Sequence, residues 1–262
     1  DQDKFEAAEE VHRRALGGLE KVLGKEHPDT LTSMDNLAWV LWNRGKYEAA
    51  EEMTRQTLNG REKVLGKEHP NTLLSLNNLA TVLHYQRKYE IAEEMHRRVL
   101  DMYEKILGKE HPDTLMSLNN LALVLKDQGK YKAAEEMHRR ALDGYGKVLG
   151  KEHPYTLTSL GNLAFVLQSQ GKYEEAEEMA RCALNGREKV LGEEHPTLLG
   201  ALTSSPRYST KNREYSDAST LYQRACAGFE GALGLGHPTT RVYPEHYSFM
   251  LDKMKRQNRD RP

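Results

Sequence analysis

Leu31, Met34, Leu37, Ala38 and Leu41 recur at offsets of three, four or seven positions, with mostly polar residues between them. That spacing predicts one apolar stripe on a helix from about Asp29 to Asn43, here called helix A. A second stripe of Tyr47, Ala50, Met53, Thr57, Leu58, Val64 and Leu65 predicts helix B, closed by Gly66, where a left-handed residue is usual. Pro28 suits the first position of helix A because its φ is fixed and its missing N–H is not needed there, and Asp29 complements the N-terminal dipole. His27 is then the expected cap. Gly45 marks the turn between the two helices; its equivalents are Gly129 and Gly171, but Arg87 and Arg213 stand there in two units. A turn that needs positive φ would cost those two units about 1 kcal/mol each.

The same pattern returns every 42 residues. His-Pro occurs at His27, His69, His111, His153, His195 and His237, and Tyr47, Tyr89, Tyr131, Tyr173 and Tyr215 keep the same interval, as do Gly24, Gly66, Gly108, Gly150, Gly192 and Gly234. One helical hairpin cannot bury both of its apolar stripes, so the units must stack, each covering its neighbour. The expected fold is all-α: a right-handed superhelical solenoid of stacked antiparallel helix pairs with one concave wall. Residues 1–24 read as helix B of a truncated first unit and 25–192 as four regular units. Residues 193–234 read as a degenerate unit, in which Ser204, Ser205 and Pro206 replace Asn36, Leu37 and Ala38; proline inside a helix costs about 3 kcal/mol. Residues 235–262 read as a capping helix and tail.

Leu76 to Leu100, LNNLATVLHYQRKYEIAEEMHRRVL, resembles the tetratricopeptide pattern, with Ala80, Ala92 and Val99 at the small-residue positions where helices cross closely. The usual unit of that family has about 34 residues. Helix B is longer here, extended through segments such as Arg61 to Pro70, and this long form resembles the repeats of kinesin light chains. Near-identical copies such as Gly129 to Gly144 also resemble the C-terminal arrays of fungal NOD-like receptor proteins. The resemblance implies a scaffold that holds protein or peptide; it does not identify the partner.

Composition narrows the function further. Charged residues make up 29% of the chain but balance to −1, which leaves no basic field for a phosphate backbone, so nucleic acid is not an expected partner. No apolar run approaches the roughly 20 residues of a membrane span, and two cysteines at unrelated repeat positions, Cys182 and Cys226, fit a reducing, cytoplasmic setting better than a disulfide framework. The sequence opens inside the pattern, so the lack of a leader at Asp1 carries no weight. Pairs such as Glu51 with Arg55, Glu93 with Arg97, Glu94 with Arg98, Glu135 with Arg139 and Glu136 with Arg140 stand four apart and predict a solvated outer face on helix B, with His12, His96 and His138 among them. No phosphate loop, nucleophile elbow or zinc motif is present, so neither an enzyme nor a cofactor is expected. The His-Pro histidines sit on successive units and cannot converge within the roughly 2 to 2.2 Å that one metal ion requires.

Candidate binding residues lie on helix A opposite its core stripe. Asn36, Asn78, Asn120 and Asn162 form a column that Ser204 ends. A carboxamide carries donor and acceptor, so such a ladder could pair with the backbone of an extended peptide, the role the tetratricopeptide resemblance implies; the alternative is that each Asn bonds a neighbouring helix. Variable positions should set specificity: Trp39, Thr81, Leu123 and Phe165 in one column, Trp42, His84, Lys126 and Gln168 a turn later, and Asp35, Asn77, Asn119 and Gly161 just before the ladder. Trp39 reads equally as a binding anchor or as packing against the preceding helix B. The leading expectation is a concave groove for a protein or linear peptide. The alternative is a sensor or oligomerisation array that contacts its own larger chain or copies of itself.

Overall fold

The computed structural model describes residues 2–191, all of whose regular elements are helices: α1 (Gln2–Leu23), α2 (Pro28–Asn43), α3 (Tyr47–Leu65), α4 (Pro70–Tyr85), α5 (Tyr89–Ile106), α6 (Pro112–Asp127), α7 (Tyr131–Val148), α8 (Pro154–Ser169) and α9 (Tyr173–Leu191). The expected degenerate unit at 193–234, including Pro206 and Arg213, and the capping helix and tail at 235–262 lie outside the described residues. The chain divides into two compact units, Asp1–Gly144 and Tyr145–Pro262, the first holding α1 to α6 and most of α7, the second the end of α7 with α8 and α9.

Each helix A starts the same way. The imidazole Nδ1 of His27, His69, His111 and His153 accepts a hydrogen bond from the backbone N–H two residues on, at 3.1 to 3.2 Å, while the following proline occupies the first turn. The repeated His-Pro is therefore a helix-start device, satisfying one of the orphan N–H groups that every helix N-terminus leaves. Each hairpin turn holds one residue at positive φ: Gly45 at 71°, Arg87 at 63°, Gly129 at 76° and Gly171 at 79°. Gly66, by contrast, has φ 86° and ψ 165°, not the left-handed helical pair expected of it, and this backbone region is essentially closed to side chains other than glycine's.

Within the first unit, consecutive helices pack from α1 through α6, and α4 also meets α6. One apolar cluster joins Leu58 of α3, Leu73, Leu76, Leu79 and Leu83 of α4, Ala92, Val99 and Tyr103 of α5, and Val124 of α6. Burying each large aliphatic side chain here contributes about 1.5 to 3 kcal/mol before entropy is charged against it. Because one cluster spans four helices from three successive repeats, no single hairpin could close it. Close approach is bought with glycine: a Cβ on Gly60 would meet Leu31 Cδ2 at 2.6 Å and one on Gly144 would meet Leu115 Cδ2 at 2.4 Å. In the second unit Gly186 admits Leu157 in the same way, at 2.3 Å.

Helix B departs from expectation in three places. Val64, assigned to the apolar stripe, is 47% exposed. His96 and His138, expected to be solvated, are buried, while His12 is half-buried. The charged face is also not merely solvated: Glu51 binds Arg55 at 2.8 Å within its helix and Lys88 of the next repeat at 2.9 Å, and Glu93 binds Arg97 and Lys130, each at 2.7 Å. Arg140 pairs with Glu104 at 2.7 Å.

Candidate functional site

The helix A positions singled out by sequence fall into two layers. The outer layer of the first unit holds Asn36, exposed, with Asn78 and Asn120, both half-buried, on α2, α4 and α6. Neither Asn36 nor Asn78 has a side-chain hydrogen-bond partner among the described residues, whereas Asn120 Nδ2 donates to Asn77 Oδ1 at 3.1 Å. Trp39 stands in the next column, 58% exposed and 6.0 Å from the Phe5 ring; it touches the preceding helix and still presents most of its surface. Thr81 and Leu123 continue that column as half-buried residues, with Thr81 Oγ1 donating to the Asn77 carbonyl at 3.0 Å. In the second unit Asn162 and Gln168 are half-buried and Phe165 is 43% exposed.

One turn later an aromatic patch forms. Trp42 meets Tyr85 edge-on at 4.9 Å, Tyr47 stacks on Tyr85 at 6.1 Å, and His84 lies 5.3 Å from Tyr85 and 5.7 Å from Tyr89. His84 Nε2 sits 2.7 Å from Asp127 Oδ2, and Lys126 Nζ is 3.1 Å from Asp127 Oδ1. Tyr85 and Asp127 were absent from the expected set. They share the column of Asn43 and Ser169, one residue beyond the Trp42 column, and its variation from unit to unit was the signal that could have found them. Burial, together with the nearby Tyr47 and the Asp127 charge, raises the Tyr85 phenol, so its hydroxyl stays protonated and can donate.

The inner layer corrects the reading. Asn77, expected to line a groove, is 3% exposed, and its Oδ1 lies 3.1 Å from His96 Nδ1. Asn119 Oδ1 lies 2.8 Å from His138 Nδ1 in the same way. Asn77 thus ties helix A to helix B instead of facing a ligand, while Asn119 makes the same tie from a half-buried position. Burial pushes His96 down to about 3 and His138 down to about 4, so both rings are neutral near pH 7. Asp35 takes a different partner, Arg61 at 2.7 Å, with side chains 13% and 7% exposed; burial raises the Asp35 carboxyl against the lowering effect of Arg61. Arg61 also donates to the Asn71 carbonyl at 3.0 Å and to Ser75 Oγ at 2.8 Å.

Two kinds of interior thus occur in the same repeat register. Where helix B carries His and Tyr (His96 with Tyr103, His138 with Tyr145), helix A carries Asn; where it carries Thr54 with Arg61, or Ala180 with Arg187, helix A carries Asp35 or Gly161. A compact residue at the histidine position leaves room for a guanidinium, so the substitutions compensate within each repeat.

Among the described residues, no group of three or more His, Cys, Asp or Glu side chains is placed to hold a metal ion, and no helix is long and apolar enough to cross a membrane. Cys182 is exposed, in an open, largely charged hollow on α9 lined by Glu174, Glu177, Glu178, Arg181 and Asn185.

The tetratricopeptide repeat model matches residues 1–63, 45–105, 72–147, 113–189 and 155–204. Among solved structures, the kinesin light chain nearly identical TPR-like repeats of Podosopora anserina are 29% identical over 72% of this chain and 91% of that one, with a TM-score of 0.58. BtubC (BKLC) of P. vanneervenii is 18% identical over 96% of this chain and 92% of that one, with a TM-score of 0.62. A Rap protein complexed with Competence and Sporulation Factor is 15% identical over 98% and 72%, also with a TM-score of 0.62. No curated protein matches. The 42-residue unit and its His-Pro helix starts sit on the packing that these chains share, and the chain belongs to the tetratricopeptide repeat family.

Proposed function

We propose that the helix A face of this scaffold binds an extended segment of a partner protein. The family generally mediates protein–protein interaction, and what carries the reading here is the division of labour on that face: core and cap residues repeat, while Trp39, Trp42, His84, Tyr85, Leu123 and Lys126 vary and remain wholly or partly accessible. Asn36 and Asn78 offer unengaged carboxamides to a peptide backbone, and Trp39 offers a large apolar surface of the kind that anchors interfaces. The charges on this face already have partners: Asp35 pairs with Arg61 of helix B, and Lys126 with Asp127, whose other carboxylate oxygen lies 2.7 Å from His84 Nε2. Recognition therefore depends on shape, aromatic surface and amide hydrogen bonds, and the Kd should change little with salt.

The test is peptide display on the intact chain, followed by affinity measurement for Asn78→Ala/Asn120→Ala/Asn162→Ala after circular dichroism establishes equal helicity. Loss of affinity by about tenfold or more supports the groove; equal affinity removes the Asn column from the binding site.

A second reading is favoured by one observation, the near-identity of the units together with the likeness to a Podosopora anserina chain of nearly identical repeats. Such an array would act as the sensor or oligomerisation segment of a larger fungal NOD-like receptor, contacting its own chain or itself. Sedimentation across a hundredfold range of concentration separates the readings, since a monomer throughout opposes self-association.

A further inference from the structure

We infer that the buried histidines set the hydrogen-bond polarity of the asparagine column, so that Asn120 presents its carbonyl oxygen to the groove and takes an N–H donor from an extended peptide. This deepens the groove reading above and rests on it.

Asn77 Oδ1 lies 3.1 Å from both His96 Nδ1 and Asn120 Nδ2. An amide oxygen only accepts, so both nitrogens donate and His96 carries its proton on Nδ1. Were the Asn77 amide turned over, its NH2 would meet a lone pair on Nδ1, and the His96 proton would have to sit on Nε2. The next repeat decides between the two. His138 Nδ1 lies 2.8 Å from Asn119 Oδ1 over the same 19-residue spacing, the ring is wholly buried, and His138 Nε2 has no hydrogen-bond partner. A proton on that Nε2 would be a buried donor without an acceptor, which native interiors rarely contain, whereas an unmatched lone pair is tolerated more often. The proton therefore sits on Nδ1, Asn119 turns its oxygen towards the ring, and the matching geometry assigns His96 and Asn77 the same way.

That assignment propagates outward. With Asn77 Oδ1 facing the ring, Asn120 must turn its NH2 inward, and its own Oδ1 is left accessible and without a protein partner. His96 is thus a positioning residue, acting on the ligand through Asn77 and Asn120. In the first repeat Thr54 stands where the histidine would be and Asp35 where the asparagine would be, and Asn78 makes no side-chain hydrogen bond, so its carboxamide is free to turn either way. Among Asn36, Asn78 and Asn120, Asn120 accordingly has a fixed polarity beside two amides that adapt.

Nitrogen-15 NMR of the intact chain reads the tautomers directly: Nδ1–H on His96 and His138 is expected, and Nε2–H on either overturns the proposal. A display-selected peptide is then resynthesised with each backbone amide in turn replaced by an ester, which deletes the N–H and keeps the carbonyl. One replacement should weaken binding about tenfold to wild type and not at all to Asn120→Ala, and His96→Gln, which keeps an amide donor towards Asn77, should retain the effect that His96→Leu loses. A silent ester scan for a peptide that still depends on Asn120 overturns the polarity and leaves the groove standing. Binding indifferent to the triple alanine change overturns the groove reading, and this one with it.

Discussion

Arg87 is the one non-glycine residue at positive φ among those described, in a turn where its counterparts Gly45, Gly129 and Gly171 hold φ between 71° and 79°. A β-carbon in the left-handed region costs about 1 kcal/mol relative to glycine, even after glycine's looser unfolded chain is counted. Arg87→Gly should therefore raise stability by about 1 kcal/mol, and Gly129→Ala should lower it by a similar amount; urea midpoints at constant m-value report both. Trp39 is a test of the opposite kind. Its side chain is more than half exposed, so Trp39→Ala should leave the urea midpoint nearly unchanged while weakening a selected peptide by about tenfold, the behaviour of an anchor and not of a core residue. The turn cost was legible from the Gly-to-Arg exchange alone, because a backbone requirement repeats with the sequence register. Whether Trp39 faced inward or outward was not, since one aromatic at that position can satisfy a neighbouring helix and a ligand alike.

At the scale of single helices, boundaries and caps were legible and the interior of helix B was not. Proline after histidine, and glycine at the close of each helix B, fix where elements begin and end through backbone geometry, which no tertiary contact can overrule cheaply. His96 misled because its neighbours are Glu93, Glu94, Arg97 and Arg98. Its phase told the truth: Ala92, His96, Val99, Leu100 and Tyr103 follow the four-, seven- and eight-residue offsets of one buried stripe. A polar residue in phase with a core stripe needs an internal partner, and Asn77, in the phase of helix A that meets it, was that partner. The consequence can be measured. Folded-state values of about 3 and about 4 lie below the ordinary imidazole value near 6.5, so the unfolded chain binds protons that the folded chain refuses. Stability is fully present above about pH 6.5 and falls as pH drops towards those folded values. Thermal midpoints should decline between pH 7.5 and pH 5, and His96→Gln/His138→Gln should flatten that decline even if its midpoint at pH 7.5 is lower. An unchanged slope would mean that the rings already accept protons in the folded state.

At the scale of the molecule, the 42-residue period determined the architecture because one hairpin cannot bury its own stripes, and that argument needs no knowledge of which side chains meet. What joins successive repeats along the helix B face was missed, because pairs four residues apart explained the same charges locally. Lys46 with Glu9 at 3.0 Å, Lys88 with Glu51 at 2.9 Å and Lys130 with Glu93 at 2.7 Å each span 37 residues, from the foot of one helix B to the body of the preceding one. Burial pushes these carboxyls up, but hydrogen bonds from the lysines and from Arg13, Arg55 and Arg97 more than offset it and hold Glu9, Glu51 and Glu93 at about 2. A folded value below the unfolded one near 4.5 gives stability that is present above about pH 4.5 and lost as pH falls towards 2. This window opens lower than the histidine one and overlaps its acid end, so the decline above about pH 4.5 belongs to the histidines and the glutamates add a further, lower step beneath it. Because each strap joins neighbouring repeats only, and array stability is close to a sum of neighbour terms, Lys88→Met and Lys130→Met should lower stability near pH 7 additively. Each should also shrink the lower step without touching the upper one. The lysine heads are about half exposed, so solvent screening limits each strap to about 0.5 to 1 kcal/mol. A lower step of unchanged size in the double variant would show that the arginines, with Gln86 and Gln128, hold these carboxylates without the lysines, leaving apolar packing to carry the repeat interfaces.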